Sequence, residues 1–479
     1  MAGISRRTLL ATSAATACCF AAGTRIFGAN DDIRVAVVGV RGRGGDLINE
    51  FSKVPGVRIV ALCDADSKVL ENRVKQLADR NRKVASFADV RKLLEDKTID
   101  AVVTATPNHW HALLTVWACQ AGKDVYVEKP VSHNIWEGRK AVEAARKYNR
   151  MVQGGTQARS CLGLRAALEF CRSGQLGKIL LARALCYRPR GSIGKVDGPQ
   201  PIPESVDYDL WCGPAPKGPL MRKNLHYDWH WVWATGNGEI GNQGVHEMDM
   251  CRWALGYDAL PPRVVSLGGR LGYVDDGETP NTQIALLDYS PVPILFEVRG
   301  LYRKAGEKVM DHYRGIRVGI IIHCEGGYYA GGFSGGWTYD KDGNKIKQYP
   351  QNGIDKHADN FIKAVRSRKL SDLTADILEG HLSAALCHMA NISWRLGKHT
   401  PPDVITETFK SNPHMHESIS RLLPHLAANE IDLAKTPLTL GPVLEMDPAA
   451  ERFVGPLADA ANALVRREYR HPYVVPENV

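Results

Sequence analysis

Residues 33–39 read Ile-Arg-Val-Ala-Val-Val-Gly, five apolar side chains in a run of seven that stops at a glycine. Such a run is a strand buried on both faces, the environment of a parallel sheet with helices above and below it. The sequence that follows keeps that pitch. Residues 44–53 suit a helix, and Val57 to Cys63 is a second β-branched strand ending at Asp64. A charged helix is predicted from Ser67 to Arg80 and a short one from Phe87 to Glu95. Residues 101–105 form a third buried strand. His109 to Ala121 is helical and closed by Gly122, Asp124 to Val127 is a strand, and Ile135 to Tyr148 a helix. Strands alternating with helices in this way imply a parallel sheet with right-handed crossovers.

After Gly154 the texture changes. The strands Ile179–Tyr187, Arg263–Gly269, Thr282–Asp288, Ile294–Arg299 and Arg317–His323 are longer and more amphipathic, as expected of a mostly antiparallel sheet with one covered face. A Pro/Gly/Trp-rich stretch, residues 188–238, separates the first two and is too long for a neutral connection. Helices follow at 355–368 and 377–396. With 479 residues the chain exceeds one ordinary core. The expected division is an export segment at 1–29, a dinucleotide-binding domain at 30–155, a substrate and oligomerisation domain at 156–410, and an appended segment of irregular and helical pieces at 411–479.

Four motifs carry chemistry. The first, Gly39-Val40-Arg41-Gly42-Arg43-Gly44, lies where the first strand turns into a helix. Glycines there permit a tight turn and let backbone approach a pyrophosphate at the helix N-terminus. The pattern departs from G-x-G-x-x-G in having Arg41 at the second glycine. Asp64, at the end of the next strand, suits both hydroxyls of a ribose and repels a 2′-phosphate, which favours NAD over NADP, while Arg41 and Arg43 keep NADP open as the alternative. The second motif, Thr106-Pro107-Asn108-His109-Trp110-His111, follows a parallel strand and so faces the cofactor crevice. The third, Glu128-Lys129-Pro130, projects a lysine to where nicotinamide and substrate would meet. A positive ring nearby lowers its pKa and suits it to proton exchange. The fourth runs from Gly238 to Asp249. Asn242, His246 and Asp249 are spaced four and three apart, so a continuous helix sets them on one face, with His246 to pass protons and Asp249 to orient it. Just before it, the aromatic stretch His226 to Trp233 suits a carbohydrate or polyol, whose C–H face stacks on rings while its hydroxyls are bonded.

The N-terminus reads Ser5-Arg6-Arg7-Thr8-Leu9-Leu10 and then a small apolar run, a twin-arginine export signal with cleavage expected near Ala29. Cys18 and Cys19 raise lipid attachment, but the residues before them fit an attachment box poorly. The other nine of the 11 cysteines are scattered without a C-x-x-C pair, which indicates neither zinc nor a disulfide framework, and no metal is expected. Net charge is +9, or +6 without Arg6, Arg7 and Arg25, and no basic block exists, so nucleic acid is not an expected partner. No later stretch is apolar for long enough to span a bilayer.

The glycine turn, Asp64, the Thr106-Pro107-Asn108 loop, Glu128-Lys129-Pro130 and Gly244-x-His246, in this order over residues 33–400, resemble the glucose–fructose oxidoreductase/inositol dehydrogenase/rhizopine-catabolism (Gfo/Idh/MocA) family. The resemblance implies an α/β protein: an N-terminal Rossmann parallel sheet, then an α/β domain with an open, mainly antiparallel sheet that commonly makes dimer or tetramer contacts. It implies hydride transfer between a sugar or polyol carbon and a nicotinamide, with Lys129 and His246 as the lysine and histidine of the catalytic set. Asn242 stands where many members have an aspartate, which an amide cannot replace in proton transfer. The expected cofactor set is Gly39, Arg41, Gly42, Arg43, Gly44, Asp64, Thr106, Pro107, Asn108, His111, Glu128, Lys129 and Gln157. Tyr187, Trp229 and Asp249 are expected at the substrate. The leading expectation is an exported oxidoreductase that holds its cofactor tightly, because the periplasm has no obvious NAD pool. The alternatives are a redox-neutral NAD-dependent glycosidase or lyase and a non-catalytic carbohydrate-binding relative.

Overall fold

The computed structural model describes residues 32–479; the twin-arginine stretch, Cys18 and Cys19 lie outside the described residues. Six parallel strands form the first sheet: β1 (Ile33–Val38), β2 (Val57–Cys63), β3 (Ala85–Phe87), β4 (Ala101–Thr104), β5 (Asp124–Val127) and β6 (Val152–Gly154), in the order β3-β2-β1-β4-β5-β6. The order reverses between β1 and β4, which opens a crevice at the carboxyl ends of the central strands. Strand parity explains the two layers. Ile33, Val35 and Val37 enter one core with Leu47 and Phe51, while Ala36 and Val38 enter the other with Leu113 and Val116. Phe87 closes β3 instead of opening a helix, because the Asp89 carboxylate accepts the backbone N–H of Arg91 and starts the helix at Val90–Glu95.

The second sheet contains β7 (Ile179–Tyr187), β8 (Arg263–Gly269), β9 (Thr282–Leu287), β10 (Ile294–Arg299), β11 (Val318–Cys324), β12 (Gly327–Gly332), β13 (Gly335–Asp340), β14 (Lys345–Pro350), β15 (Lys398–Thr400) and β16 (Leu438–Leu440), with β17 (Leu444–Asp447) and β18 (Arg452–Val454) joined to β8. Its order is β14-β13-β12-β11-β7-β10-β9-β8-β16-β15, antiparallel except for β7 beside β10. The fold is the expected one: a parallel Rossmann sheet followed by a mostly antiparallel one.

Three features depart from the sequence reading. The second sheet was expected to have one covered face, yet β8, β9 and β10 are buried almost throughout. Val265, Leu267, Ile284, Leu286 and Leu295 pack on their outer side against Ile405, Phe409, Ile419 and Leu422, from the helices Pro402–Thr408 and Pro413–Ala428. The segment after 410 is therefore no appendage. It covers the sheet, adds β16 to β18, and ends against the Rossmann layer, where the Tyr473 ring meets Trp110 edge-on. Finally, the helix His357–Ser367 returns to the first domain, where Phe361, Ile362 and Val365 share a core with Ile33 and Val35. The first domain is thus completed by residues about 200 positions beyond its expected boundary. Among the described residues no helix is long and apolar enough to cross a membrane.

Candidate active site

One cleft of about 1000 Å³ lies along the carboxyl ends of β1, β2, β4 and β5. Its floor begins at the glycine turn. Gly39 has φ +76°, and a Cβ there would stand 2.8 Å from the Thr106 nitrogen, so only glycine lets the turn lie against the β4 loop. Gly42 has φ +40° and faces open space. Gly44 does not line the cleft; a Cβ on it would collide with the Gly39 carbonyl, so it serves close packing of turn and helix. The helix Gly42–Phe51 has no side-chain N-cap and no acid in its first turn, leaving its first amides to an anionic ligand. The Asp64 carboxylate accepts the amides of Val40 (2.8 Å) and Asp66 (3.0 Å), tying the glycine turn to β2. Burial pushes this carboxyl upward, and the two amides oppose that shift. This glycine turn, these free amides and this acid fit a dinucleotide pyrophosphate and its ribose.

The two arginines of the turn divide. Arg41 is exposed at the mouth. Arg43 turns inward, bonding Glu128 at 2.8 Å and Glu50 at 2.5 Å, so its charge is spent on carboxylates rather than left for a phosphate. Glu128 also accepts Gln157 Nε2 at 3.2 Å, and Gln157 donates to the Tyr126 hydroxyl. His111 staples two turns: its ring nitrogens lie 2.6 Å from the Pro130 carbonyl and 2.8 Å from that of Thr106. The Asn108 amide points away from the cleft lumen and donates to Asn237 Oδ1 at 2.9 Å. Thr106, Pro107, Asn108, His111, Glu128 and Gln157 all line the cleft beside Lys129.

Lys129, Asn242 and His246 meet at the far end. Helical spacing was expected to set Asn242, His246 and Asp249 on one face; instead Gly238–Asn242 and Gly244–Leu255 are separate helices, joined at Gln243. The His246 amide bonds the Gln243 carbonyl, which leaves the Asn242 carbonyl free to accept Lys129 Nζ at 2.7 Å. Burial lowers the lysine's pKa, while the charges of Glu128, Glu239 and Glu247 resist. His246 is held well below its usual pKa, first by burial and then by the Lys129 charge. Its Nδ1 is buried without a hydrogen-bond partner among the described residues, and its ring meets Phe333 edge-on at 4.8 Å.

The Asn242 side chain turns outward from this pair. Its Nδ2 donates to Glu239 Oε2 at 3.1 Å, and Glu239 is gripped by Arg190 through two bonds of 2.9 Å. The position that lacks the expected acid therefore contributes a main-chain carbonyl to Lys129, while a neighbouring acid takes up its amide. Glu239 and Phe333 were not singled out from sequence. Phe333 sits in a Gly-Gly-Phe-Ser-Gly-Gly turn between β12 and β13, and those short glycine-rich strands carry little apolar periodicity. Glu247 is fully buried, and burial pushes its carboxyl up to about 8.

Trp229 lines the cleft and stacks on His230 with ring centroids 3.6 Å apart. The other two residues expected at the substrate lie elsewhere. Tyr187 is buried on the outer face of the sheet, its hydroxyl bonded to Glu297 and Arg421 and its ring under Arg299. Asp249 is wholly buried behind the site, accepting Arg159 Nε at 2.9 Å and Ser383 Oγ at 2.7 Å. Asp249 does lie one turn beyond His246 on the same helix, but Arg159 and Ser383 hold its carboxylate in the interior.

The Trp-rich stretch crosses the cleft at the Asp64 end. Asp207 N bonds the Ala65 carbonyl, Ser67 N bonds the Ser205 carbonyl, and His226 Nε2 lies 2.9 Å from Asp66 Oδ2. His226, Tyr227, Trp229 and His230 then roof it.

Comparison with known proteins agrees with this geometry. Residues 33–156 match the family model described as the oxidoreductase family, NAD-binding Rossmann fold, and residues 192–276 match that of the oxidoreductase family, C-terminal alpha/beta domain. A protein named glycosyl hydrolase family 109 protein 2 from Shewanella sp. (strain ANA-3) is 33% identical over 162 residues, covering 32% of this chain and 35% of that one. A glycosyl hydrolase family 109 protein from Solibacter usitatus is 32% identical over 165 residues, covering 32% of this chain and 36% of that protein. The match thus spans about a third of the length of these relatives. Among solved structures, the WlbA dehydrogenase from Bordetella pertussis, in complex with NADH and UDP-GlcNAcA, shares the fold at TM-score 0.53 and 20% identity, over 75% of this chain and 96% of that one. The myo-inositol dehydrogenase from Lactobacillus casei, in complex with NAD(H) and myo-inositol, does so at TM-score 0.53 and 18% identity, over 76% and 95%. The two family models, matched in order along one chain with this cleft between their parts, support membership of the Gfo/Idh/MocA oxidoreductase family.

Proposed function

We propose that the protein is a nicotinamide-dependent oxidoreductase acting at a carbinol carbon of a sugar, sugar derivative or cyclitol, with NAD preferred to NADP. The observation that carries this reading is the pairing of two groups of lowered proton affinity, Lys129 and His246, at the end of a cleft that starts in a dinucleotide turn. Bound NAD would supply the two-electron acceptor for the carbinol carbon. The chain's own work is to bind, orient and exchange a proton. Lys129, anchored by the Asn242 carbonyl, donates a hydrogen bond to the reacting oxygen. His246, neutral at pH 7, accepts the hydroxyl proton at its Nε2, the ring nitrogen that is not buried like Nδ1. Phe333 and the roof at 226–230 exclude water from that exchange. The NAD preference rests on Asp64 at the ribose end and on the engagement of Arg43 by Glu128 and Glu50.

A redox-neutral NAD-dependent glycosidase is the second reading, favoured by the names of the matched relatives. In both readings the cofactor is held tightly and recycled, because the periplasm has no obvious NAD pool. We further propose export by the Arg6-Arg7 signal, which a Lys-Lys replacement tests by cell fractionation.

The deciding experiment is to denature the purified protein and identify any released dinucleotide, then assay sugars, cyclitols and aryl glycosides with wild type and Lys129→Ala. Bound NAD and net NADH formation, lost in the variant, support the first reading. Leaving-group release without net NADH supports the second. No dinucleotide in the protein and no NAD binding by calorimetry would sink both.

A further inference from the structure

A second cavity, of about 310 Å³, lies behind the active site between residues 133–134, the 233–237 turn, the helix Ile377–Arg395 and residues 463–467. Its lining contains Arg395, Arg466 and Arg467, together with His133 and His388, and no carboxylate. Arg466 is balanced by Glu477 and lies over the Trp136 ring. The other two arginines have no carboxylate partner among the described residues. Arg467 bonds the Ala234 carbonyl and His133 Nδ1 and is otherwise unmatched. The acid whose charge reaches it, Glu137, is already engaged by the amides of His133 and Asn134 and by the Tyr469 hydroxyl. Arg395 contacts the Trp233 ring at 5.1 Å and no hydrogen-bond acceptor of the described residues; the acid whose charge reaches it, Glu278, is engaged by the Trp233 amide.

A guanidinium keeps its charge under all ordinary conditions, and burying it without a counter-charge is costly. Burial accordingly lowers the pKa of Arg467. A pocket with this charge, a tryptophan wall and a volume at the small end of the ligand-site range, about 300–1,000 Å³, has the composition of an oxyanion site. We infer that this cavity binds a small molecule bearing a carboxylate, phosphate or sulfate group, of at most monosaccharide size, with Arg467 at its base and Arg395 at its mouth.

The cavity is separate from the cofactor cleft. Asn237, on its wall, accepts the Asn108 amide at 2.9 Å and donates to the His133 carbonyl at 3.0 Å, so this pair closes the passage between the two. The inference does not depend on the reaction catalysed in the cleft.

The test uses the full protein saturated with NAD, so that the pyrophosphate position is filled. Titration calorimetry is run with inorganic phosphate, glucuronate and glucose at matched ionic strength. Phosphate and glucuronate should bind and glucose should not. Arg395→Gln, at the exposed mouth, should weaken oxyanion binding by about tenfold, the loss expected for one charge-assisted contact. Arg467→Gln should abolish it, and unchanged circular dichroism in that variant shows that the fold survives. Equal binding of glucose and glucuronate, or oxyanion binding unaltered in both variants, would overturn the inference. So would the absence of any heat with either oxyanion. Binding of phosphate alone or of glucuronate alone supports the site and identifies which source of the oxyanion it takes.

Discussion

Asn242→Asp restores the acid that the family pattern leads one to expect, and the structure indicates that it damages this protein. The new carboxylate oxygen would replace Nδ2, which lies 3.1 Å from Glu239 Oε2. Glu239 is only 1% exposed and already satisfied by Arg190. Two like charges about 4 Å apart, at an effective dielectric of about 20, repel by about 4 kcal/mol. Protonating the introduced carboxyl at pH 7 instead costs about 4 kcal/mol, from a reference pKa of about 3.9. The two routes cap the penalty at a similar level, and the Lys129 ammonium offsets part of it, so the expected destabilisation at pH 7 is about 2–4 kcal/mol. The sign with pH follows from linkage. Repulsion raises the introduced carboxyl's folded pKa above its unfolded value, so the deficit is full at neutral pH and closes as pH falls toward about 4. Urea midpoints of wild type and variant, measured from about pH 7.5 down to about pH 5, should therefore converge on acidification. Equal midpoints at pH 7 would refute the Glu239 contact. A gain in turnover would refute the assignment of the carbonyl, rather than the side chain, as the group at Lys129.

Two further outcomes follow from the same geometry. Gly39→Ala should cost about 3 kcal/mol or more, combining the left-handed backbone with a collision at the Thr106 nitrogen, and should remove NAD binding measured by calorimetry before it removes the fold measured by circular dichroism. Tyr187→Phe should lower stability by about 1–2 kcal/mol through the lost Glu297 bond yet leave KM for any substrate unchanged, since the ring lies on the far face of the sheet; a rise in KM would return Tyr187 to the substrate.

The Rossmann half was legible because each of its signals is local. A buried strand ends in a glycine, the next ends in an acid, and both ends point to one crevice whatever the rest of the chain does. Tyr187 was misplaced although a signal existed. Along β7, Ala182, Ala184 and Cys186 share one face and Arg183, Leu185 and Tyr187 the other. The small residues mark the side where the helix Gly244–Leu255 lies close, so parity alone sends Tyr187 to the opposite side. Asp249, Glu239 and Phe333 were illegible for another reason. Their positions are fixed by Arg159, Arg190 and a turn between short strands, all remote in sequence, and no periodicity encodes such pairings. The covered outer face was likewise hidden, because its partner helices begin more than 100 residues after β10.

These long-range dependencies bear on how the protein can be loaded. The cleft takes its floor from residues 39–43, its reactive end from 129, 242 and 246, its roof from 226–230 and part of its rim from 354–359. The helix Gly244–Leu255 that carries His246 rests on β7 and β10, whose outer side is in turn sealed by residues 402–428. A fragment that lacks the last hundred residues keeps the lining of the site but loses the packing that backs this sheet. A dinucleotide bound as proposed would therefore have its complete site only once residues 402–428 have packed on that sheet. Under the export proposed above, the protein would have to be folded and loaded before it crosses a membrane.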